Sequence, residues 1–392
     1  MKKVLRHTIN LIRAEICGEY DNNFNSVSLD EWKKILELSA KHDLAHIIGK
    51  TISNYKISVD EKIKNIFFSI QLNALLRYEK IRFSQEKLYE VFEKNCIQYI
   101  PLKGSVLREV YSEPWLRTSC DIDVLIKKSD IECACKLLAD ELGWQKYSSG
   151  THDVSFFSNA DIHIELHFNL IEENATTEGI VLHNWKPDIL AEVWSNISPV
   201  EGYKYQYRMN DEFAYFYHIA HMAKHFENGG CGIRPFIDLW LMDNKMDYDK
   251  NKRNEILRNG KLLTFADACR NLSYVWFSGK DYSQITESMA EFIISGGVYG
   301  TMNNKVTIQQ SYRGGKFKYA LSRIFLPYDA LKYHYPVLEK HRWLTPFCEV
   351  RRWLRLLFKG GIKRSFYELK SNSKTTDSKI NFAKNLIKEL EL

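Results

Sequence analysis

Residues 103–126 read KGSVLREVYSEPWLRTSCDIDVLI, and this stretch indicates both the fold and the site. Lys103-Gly104-Ser105 predicts an exposed turn, because glycine tolerates backbone conformations that other residues avoid. The apolar run from 124 to 126, headed by Asp121, Ile122 and Asp123, predicts a strand over residues 121–126. Since strand side chains alternate between the two faces, Asp121 and Asp123 point to the same side. The stretch therefore predicts a turn that holds phosphate shortly before two carboxylates.

The predicted turn has the groups that bind phosphate. Gly104 lets the backbone approach a phosphate closely, and Ser105 offers a hydroxyl and an N–H at a predicted helix start, where the partial charge is positive. Lys103 and Arg117 are the cations placed to hold triphosphate oxygens. Each signal alone is common in structural turns, but their order along the chain is more specific.

A second cluster of ionisable residues occurs in DIHIELH, residues 161–167. A period of two places Asp161, His163, Glu165 and His167 on one face of a strand and three apolar side chains on the other. An ordinary amphipathic strand rarely has four titratable side chains on one face.

Asp121, Asp123 and Glu165 converge as three oxygen ligands if this strand pairs with residues 121–126. Mg²⁺, or Mn²⁺ in its place, prefers carboxylates together with substrate phosphates, and such ions stabilise the attacking and leaving oxygens of an in-line displacement. The three carboxylates therefore predict phosphoryl or nucleotidyl transfer.

The remaining pattern predicts an α+β protein in which helices flank a small sheet. Further strands are expected at about residues 97–102, 144–147, 154–157 and 162–168. Helical periodicity covers about residues 28–52, 60–95, 129–142, 212–228, 237–242, 256–274 and 285–294. Ser129 is the expected N-cap of its helix.

The predicted helix that contains HIAHMAKHF has His218, His221 and His225 on one face. The sequence lacks the HExxH pattern of zinc proteases. Two interpretations stay open for His221, His225, Arg234 and Asp238. They contact the nucleotide from one wall of the active-site cleft, or they brace two domains, and bracing is favoured.

Composition favours a folded protein of a reducing compartment. The chain has 392 residues, a net charge of +6 and 45% hydrophobic residues, which suits a large core and acidic partners such as nucleotides. Its eight cysteines show no CxxC spacing, so free thiols are expected. Arg6, Arg13 and Glu15 interrupt any signal-peptide core, and no run approaches the length of a membrane span. We expect a cytoplasmic location.

Residues 312–370 are rich in aromatic and basic residues. Part of this segment has an amphipathic pattern that suits peripheral contact with an anionic membrane or with nucleic acid. A helix that packs its apolar face on the core explains the same pattern and is the favoured interpretation. The apolar residues are Phe347, Val350, Trp353, Leu354, Leu356, Leu357 and Phe358. The basic residues include Arg351, Arg352, Arg355, Lys359, Lys363 and Arg364.

Five motifs together resemble a known family. The motifs LKGSVL, R-x3-DIDVLI, IELHF, HIAHMAKHF and GIRPFIDLW are similar to those of the uncharacterised nucleotidyltransferase family within the polymerase-β-like nucleotidyltransferase superfamily. The helical N-terminal part and the basic C-terminal part also resemble it. The resemblance implies a small mixed β-sheet nucleotidyltransferase core flanked by N-terminal and C-terminal helical regions. It also implies a divalent metal and a nucleoside triphosphate substrate.

By this resemblance, Asp121 and Asp123 match the metal-binding pair and Glu165 the third carboxylate, which is aspartate in many superfamily members. Gly104 and Ser105 match the phosphate-binding pair. The expected catalytic and metal-binding residues are therefore Asp121, Asp123 and Glu165. The expected nucleotide-binding residues are Lys103, Gly104, Ser105, Arg117, His167, His221 and His225.

Three hypotheses for function follow. The first is a Mg²⁺- or Mn²⁺-dependent nucleotidyltransferase that moves an NMP to a hydroxyl acceptor, with pyrophosphate as the other product. The second is a nucleotide-binding or scaffold protein without catalysis, and the third is a toxin-like enzyme that adds nucleotides to tRNA. The acceptor, whether small molecule, protein or RNA, is not named by the sequence, nor is the oligomeric state. The expected units are residues 1–95, 96–200, 201–310 and 311–392.

Overall fold

The computed structural model describes residues 2–20, 24, 27–170, 175–176, 179–180, 184–298, 300–313, 316–358 and 376–392. The predicted fold class is confirmed, because a mixed sheet lies between helical regions on either side along the chain. The N-terminal helices are α1 (Lys2–Cys17), α2 (Leu29–Lys41), α3 (Ala45–Asn54) and α4 (Glu61–Lys94).

Local signals set the ends of these helices. Ser28 and Glu31 form a capping box, in which the Ser28 hydroxyl accepts from the Glu31 N–H and the Glu31 carboxylate accepts from the Ser28 N–H. Such a cap stabilises a helix start by about 1 kcal/mol. The predicted helix over 28–52 is interrupted at Asp43, whose φ of 54° is incompatible with a continuing helix. The helix predicted over 60–95 is unbroken.

Five strands form the central sheet in the order β1-β2-β5-β4-β3. The pairing of β2 with β5 is parallel and the other three pairings are antiparallel, so the sheet is mixed. The strands are β1 (Tyr99–Pro101), β2 (Asp121–Ile126), β3 (Gln145–Ser149), β4 (Asp153–Phe157) and β5 (His163–His167). Helices α5 (Gly104–Leu107) and α6 (Ile131–Asp140) follow β1 and β2.

The alternation of side chains divides β2 between two cores. Ile122 and Val124 point toward α4 and α6 and pack with the apolar face of β5, where Ile164 and Leu166 are fully buried. Leu125, on the other face, packs in the larger core that the N-terminal helices share with the helices after the sheet. The face that carries Asp121, Asp123 and Glu165 therefore lies between the sheet and these helices.

Two predictions at element boundaries were wrong. Asp161 does not share the strand face of Glu165, because it lies in a turn before β5 with a φ of 61° and its N–H donates to the Ser158 carbonyl. Ser129 is not the N-cap of α6, since a single 3₁₀ turn precedes that helix and the Ser129 hydroxyl contacts Asp130 instead.

Two short hairpins follow the sheet, β6 (Ala175–Thr176) with β7 (Gly179–Ile180) and β8 (Ile197–Pro199) with β9 (Tyr207–Met209). The helices after them are α7 (Asp211–Glu227), α8 (Arg234–Lys245), α9 (Lys250–Asn259), α10 (Leu263–Ser278) and α11 (Gln284–Gly296). The helical pattern predicted over 256–274 is divided between α9 and α10. These helices complete the larger core.

The C-terminal helices are α12 (Met302–Arg313), α13 (Lys316–Ile324), α14 (Tyr328–His334), α15 (Thr345–Phe358) and α16 (Asp377–Glu389). The favoured interpretation of α15 is contradicted for three of its seven apolar residues, whereas Trp353 is partly buried and the side chains of Leu356, Leu357 and Phe358 lie outside those that the structure describes. Phe347, Val350 and Leu354 are exposed, whereas Glu349 and Arg352 face inward as an ion pair. The predicted basic residues Lys359, Lys363 and Arg364 lie outside the described residues. In the described part of the chain, no helix is both long and apolar enough to span a membrane.

His42, between α2 and α3, makes the stability of the fold depend on pH. Its side chain is fully buried, and burial, together with the charge of Lys41, lowers its pKa to about 4. An unfolded histidine binds a proton below about pH 6.5, so between pH 6.5 and 4 the unfolded chain binds a proton that folded His42 does not. We expect the free energy of unfolding to fall as the pH is lowered through this range. The part of this loss that is due to His42 is about 3 kcal/mol.

The variant His42→Gln, which cannot bind this proton, should show a shallower decrease in thermal midpoint between pH 6.5 and 4.5 than the unchanged protein. The thermal midpoint of the variant should still decrease with falling pH, because burial lowers the pKa of His46 and His218 as well. Exposed His341→Gln is the control. Equal slopes for His42→Gln and the unchanged protein would contradict this role of His42.

Candidate functional site

The parallel pairing of β2 and β5 places two carboxylates side by side. Asp123 and Glu165 are partners in register, and Leu125 is the partner of His167 two residues further along. The side chains of Asp123, Glu165 and His167 offer ligand atoms that all lie within 4.8 Å of one another. Asp123 and His167 are buried, whereas Glu165 is partly exposed. The predicted neighbourhood of Asp123 and Glu165 is thus present in the fold.

Asp123 has two hydrogen-bonding partners in this cluster, one of which is a cation. The Lys103 ammonium lies 2.8 Å from one of its oxygens, and His167 Nε2 lies 2.8 Å from the same oxygen. Burial by itself raises the pKa of Asp123, but the charge of Lys103 and the hydrogen bond from His167 outweigh burial and hold it well below its usual range. Asp123 is therefore a carboxylate that attracts cations strongly.

Asp121 stands apart from this cluster. Its side chain shares the strand face with Asp123, but Asp121 is paired in register with His163 rather than Glu165. Burial and the negative charge of Asp123 raise the pKa of Asp121 to about 6. Two carboxylates this close repel each other in the absence of a cation, which is the usual electrostatic condition of a metal-binding pair.

The residues present fit a divalent cation. Lys103 already places a positive charge against Asp123, where a cation bound by Asp123 and Glu165 would lie. Carboxylate oxygens suit Mg²⁺ and Mn²⁺, and the nearby imidazole of His167 suits Mn²⁺ better than Mg²⁺. The identity of the metal stays a prediction.

The turn before the carboxylates has an unusual backbone. Lys103 has a φ of 47°, a conformation that residues with a side chain rarely adopt and that is concentrated at functional sites. A Cβ at Gly104 would lie 3.1 Å from Ser119 Cβ and 3.2 Å from the Arg117 guanidinium, so the packing favours glycine. The expected helix start at Ser105 is only a four-residue turn, and the Ser105 N–H already donates to the Leu102 carbonyl. A helix macrodipole contributes little here.

Arg117 is held by a partner far along the chain. Its Nε and Nη2 donate to the two oxygens of Asp238 at 3.1 and 2.9 Å, and Tyr111 donates to the same carboxylate at 2.7 Å. Asp238 is fully buried. Burial raises its pKa, but the charge of Arg117 outweighs burial and lowers it. This pairing ties the segment before β2 to α8, whereas contact between Arg117 and a triphosphate stays a prediction.

Arg234 makes a second connection to the same segment. Its Nη1 donates to the Thr118 carbonyl at 2.8 Å and to Asp43 at 3.1 Å, and the Thr118 hydroxyl donates to Asp43 at 2.7 Å. His46 of α3 contacts the Leu116 carbonyl at 2.8 Å. Residues from both helical regions therefore fix the segment that leads into β2, which agrees with the bracing interpretation for Arg234 and Asp238.

A cavity of about 800 Å³ lies between the sheet and α7. The sheet side presents the acidic cluster and Lys103, and the helix side presents Tyr217, His221 and His225. The two imidazoles contact each other, with 3.2 Å between their Nε2 atoms, and burial lowers the pKa of His221 well below its usual value. A neutral His221 in this position can donate and accept hydrogen bonds to a ligand.

Two residues of the site were not predicted from the sequence. Tyr217 is nearly buried, lines the cavity and lies close enough to Lys103 and Asp123 for their charges to affect its hydroxyl pKa. Arg108 is buried, donates to the Gly104 carbonyl at 2.7 Å and to the Ser119 hydroxyl at 3.1 Å, and so holds the turn in place. Arg108 lies four residues after Gly104, and this spacing of one helical turn could have indicated the contact from the sequence.

A family model described as uncharacterised nucleotidyltransferase matches residues 28–278. The chain belongs to this family. The predicted family is confirmed, and the match includes every predicted site residue. It ends at residue 278, so the C-terminal part that was expected to resemble the family lies outside the match. No curated protein and no solved structure matches the chain. Membership supports nucleotidyl transfer as the general class of reaction.

The pairing of Arg117 with Asp238 predicts a non-additive effect on stability. Arg117→Met leaves a buried carboxylate without its charged partner and should lower the free energy of unfolding by about 3–5 kcal/mol. Adding Asp238→Leu removes that charge, so the double variant should lose less than the sum of the two single variants.

Urea denaturation of the two single variants and the double variant measures this coupling. Arg82→Met, which removes an exposed ion pair with Glu79, is the control and should change stability by less than about 1 kcal/mol. If the losses in free energy of unfolding for Arg117→Met and Asp238→Leu are additive, the pairing does not hold the segment before β2 in place.

Proposed function

We propose that this protein is a divalent-metal-dependent nucleotidyltransferase that moves an NMP from an NTP to a hydroxyl acceptor. The observation that carries the proposal is the cluster of Asp123, Glu165 and His167 opposite Lys103, inside a cavity large enough for a nucleotide. Family membership supports the class of reaction, and the cluster supports the metal.

In this proposal Asp121, Asp123 and Glu165 hold the metal. Bound Mg²⁺ or Mn²⁺ supplies positive charge that stabilises the attacking and leaving oxygens. The acceptor oxygen forms a bond with the α-phosphorus, the bond from that phosphorus to the bridging oxygen breaks, and pyrophosphate leaves. Glu165, the most exposed member of the metal cluster, accepts the proton of the acceptor hydroxyl.

The remaining predicted residues bind the nucleotide. Lys103 exchanges its contact with Asp123 for a phosphate oxygen, and Gly104 with Ser105 lets the chain approach the phosphates. His167, His221 and His225 line the cavity, where their imidazoles hydrogen-bond to the nucleotide. Arg117 supports phosphate binding from its position against Gly104.

We also propose that the NTP binds between two of the predicted units, residues 96–200 and 201–310, because residues of both units line the cavity.

The eight free cysteines support a cytoplasmic location.

The test is incubation of the purified protein with each NTP, labelled at the α-phosphate, in the presence of Mg²⁺ or Mn²⁺ and a cell lysate. If the protein transfers an NMP, the label from the α-phosphate enters a lysate fraction and pyrophosphate is released. Label in RNA would identify a tRNA-directed enzyme, and label in protein or in a small molecule would identify the other acceptor classes. Tight NTP binding without pyrophosphate release would support the non-catalytic alternative and contradict our proposal.

Glu165→Gln is the sharpest variant for this assay. Asp123 also pairs with Lys103 and His167, so its replacement leaves a cation without its partner, whereas Glu165 is partly exposed and its replacement disturbs the fold less. We expect Glu165→Gln to lower transfer by about a hundredfold to a thousandfold with an unchanged thermal midpoint.

Asp140→Asn is the matched control, because this exposed carboxylate lies on α6, behind the opposite face of the sheet. It should retain full activity. Full activity of Glu165→Gln would show that Glu165 does not take part in the reaction as we propose.

A further inference from the structure

The C-terminal helices leave a large apolar surface uncovered among the described residues. On α15 and the turn before it, Trp343, Phe347, Val350 and Leu354 recur every three or four residues, and they are 70%, 66%, 49% and 48% exposed. This spacing places them on one side of the helix. Monomeric soluble proteins rarely expose a continuous apolar stripe of this size without a partner for it.

A second stripe lies on α13. Phe317, Leu321 and Ile324 are 75%, 40% and 43% exposed and also recur at helical spacing. The end of α13 is fixed to α15, because the Trp353 indole N–H donates to the Ile324 carbonyl at 2.9 Å. We call the two stripes, together with Phe325, which is 53% exposed directly after α13, the C-terminal apolar surface. It consists of Phe317, Leu321, Ile324, Phe325, Trp343, Phe347, Val350 and Leu354.

The described inward side of α15 includes a charged pair beside Cys348 and the partly buried Trp353, whereas an ordinary globular helix turns its apolar face inward. Glu349 is 6% exposed and accepts from Arg352 Nε at 2.8 Å and from the Leu326 N–H at 2.6 Å. Cys348 is the apolar residue of α15 in the small core that holds these helices together. Because a buried ion pair fixes this orientation, the apolar stripe faces outward as a feature of the fold.

Exposed basic side chains lie in the same stretch of the chain as the C-terminal apolar surface. Within residues 316–358, the exposed basic side chains are Lys318, Lys340, Arg342, Arg351 and Arg355. Among the side chains described in that range, Glu339 is the one exposed carboxylate. Arg342 and Arg351 lie against the rings of Tyr328 and Tyr335, which holds these two guanidinium groups in place.

We propose that the C-terminal apolar surface docks on an anionic lipid bilayer. Tryptophan and phenylalanine insert at the boundary of head groups and acyl chains, and neighbouring lysine and arginine contact lipid phosphates. Half of the surface is aliphatic, and aliphatic side chains suit burial among acyl chains better than binding to a single-stranded nucleic acid, which relies on phosphate contacts and on stacking on rings. Charge complementarity and composition together favour lipid. The surface lies outside the residues matched by the family, so the proposal does not depend on the reaction.

Vesicle flotation of the full-length protein tests the proposal. Vesicles of phosphatidylcholine alone are compared with vesicles of phosphatidylcholine mixed with phosphatidylglycerol, at low and high salt. If the surface docks on anionic lipid, the protein floats with the mixed vesicles and little of it floats with the neutral ones. Less protein should float with the mixed vesicles at high salt, because salt screens the charges. Equal recovery with both compositions, or none with either, would overturn the proposal.

The double variant Trp343→Ser, Phe347→Ser should weaken lipid binding about a hundredfold, since two aromatic side chains no longer leave water. Both side chains are exposed, so its thermal midpoint should be unchanged. The matched control is Phe68→Ser, Leu76→Ser, which removes two exposed apolar side chains from α4 and should bind lipid normally. Equal loss in this control would overturn the assignment to the C-terminal apolar surface.

A charge variant gives an independent readout if the aromatic variant is unstable. Arg351→Gln with Arg355→Gln should remove most of the preference for anionic vesicles, whereas Lys33→Gln with Lys62→Gln, at exposed positions on α2 and α4, should keep it.

Two results would assign the surface to another partner and overturn the proposal. One is a dimer in light scattering that Trp343→Ser, Phe347→Ser disrupts. The other is RNA retention that this variant loses while its lipid binding is intact.

Discussion

The parallel pairing of β2 with β5 is the constraint on which the rest of the site depends. It sets Asp123 beside Glu165 and brings His167 within hydrogen-bonding distance of Asp123, so that three ligand groups from distant parts of the chain share one face. The opposite face is fixed by burial of Ile164 and Leu166 against α4 and α6. A shift of one residue in the register would exchange these faces and bury the carboxylates in an apolar core.

Lys103 supplies a positive charge to the acidic cluster from within the fold. Lys103, in a left-handed backbone conformation, reaches back to Asp123 from the turn between β1 and α5. The segment between this turn and β2 is in turn held from both helical regions, by Arg117 on Asp238 and by Arg234 on Asp43. Cations and carboxylates thus position the site, and apolar packing positions the elements that carry them.

Much of this site was predictable because its signals are local. A period of two placed Asp123 and Glu165 each on the polar face of its own strand, and their convergence was predicted on the condition that the two strands pair. The order of turn and strand indicated Lys103. The pairing of Arg117 with Asp238 was not predictable, since 121 residues separate the two and no local pattern indicates the contact. Asp161 was misplaced because a turn residue can continue the alternation of a strand by chance. For α15, periodicity indicated an apolar stripe, but only tertiary contacts determine which side of a helix is covered.

We propose that Asp123 and Glu165 together bind a metal ion, and that Lys103, which lies against Asp123, moves to a phosphate oxygen when metal and nucleotide bind. Anomalous diffraction from crystals grown with Mn²⁺ and a non-hydrolysable NTP tests it directly. The account predicts an anomalous peak about 2.1 Å from carboxylate oxygens of both residues, with the Lys103 ammonium moved from Asp123 to a phosphate oxygen. A structure in which nucleotide is bound while Lys103 stays on Asp123, with no peak between the carboxylates, would contradict it.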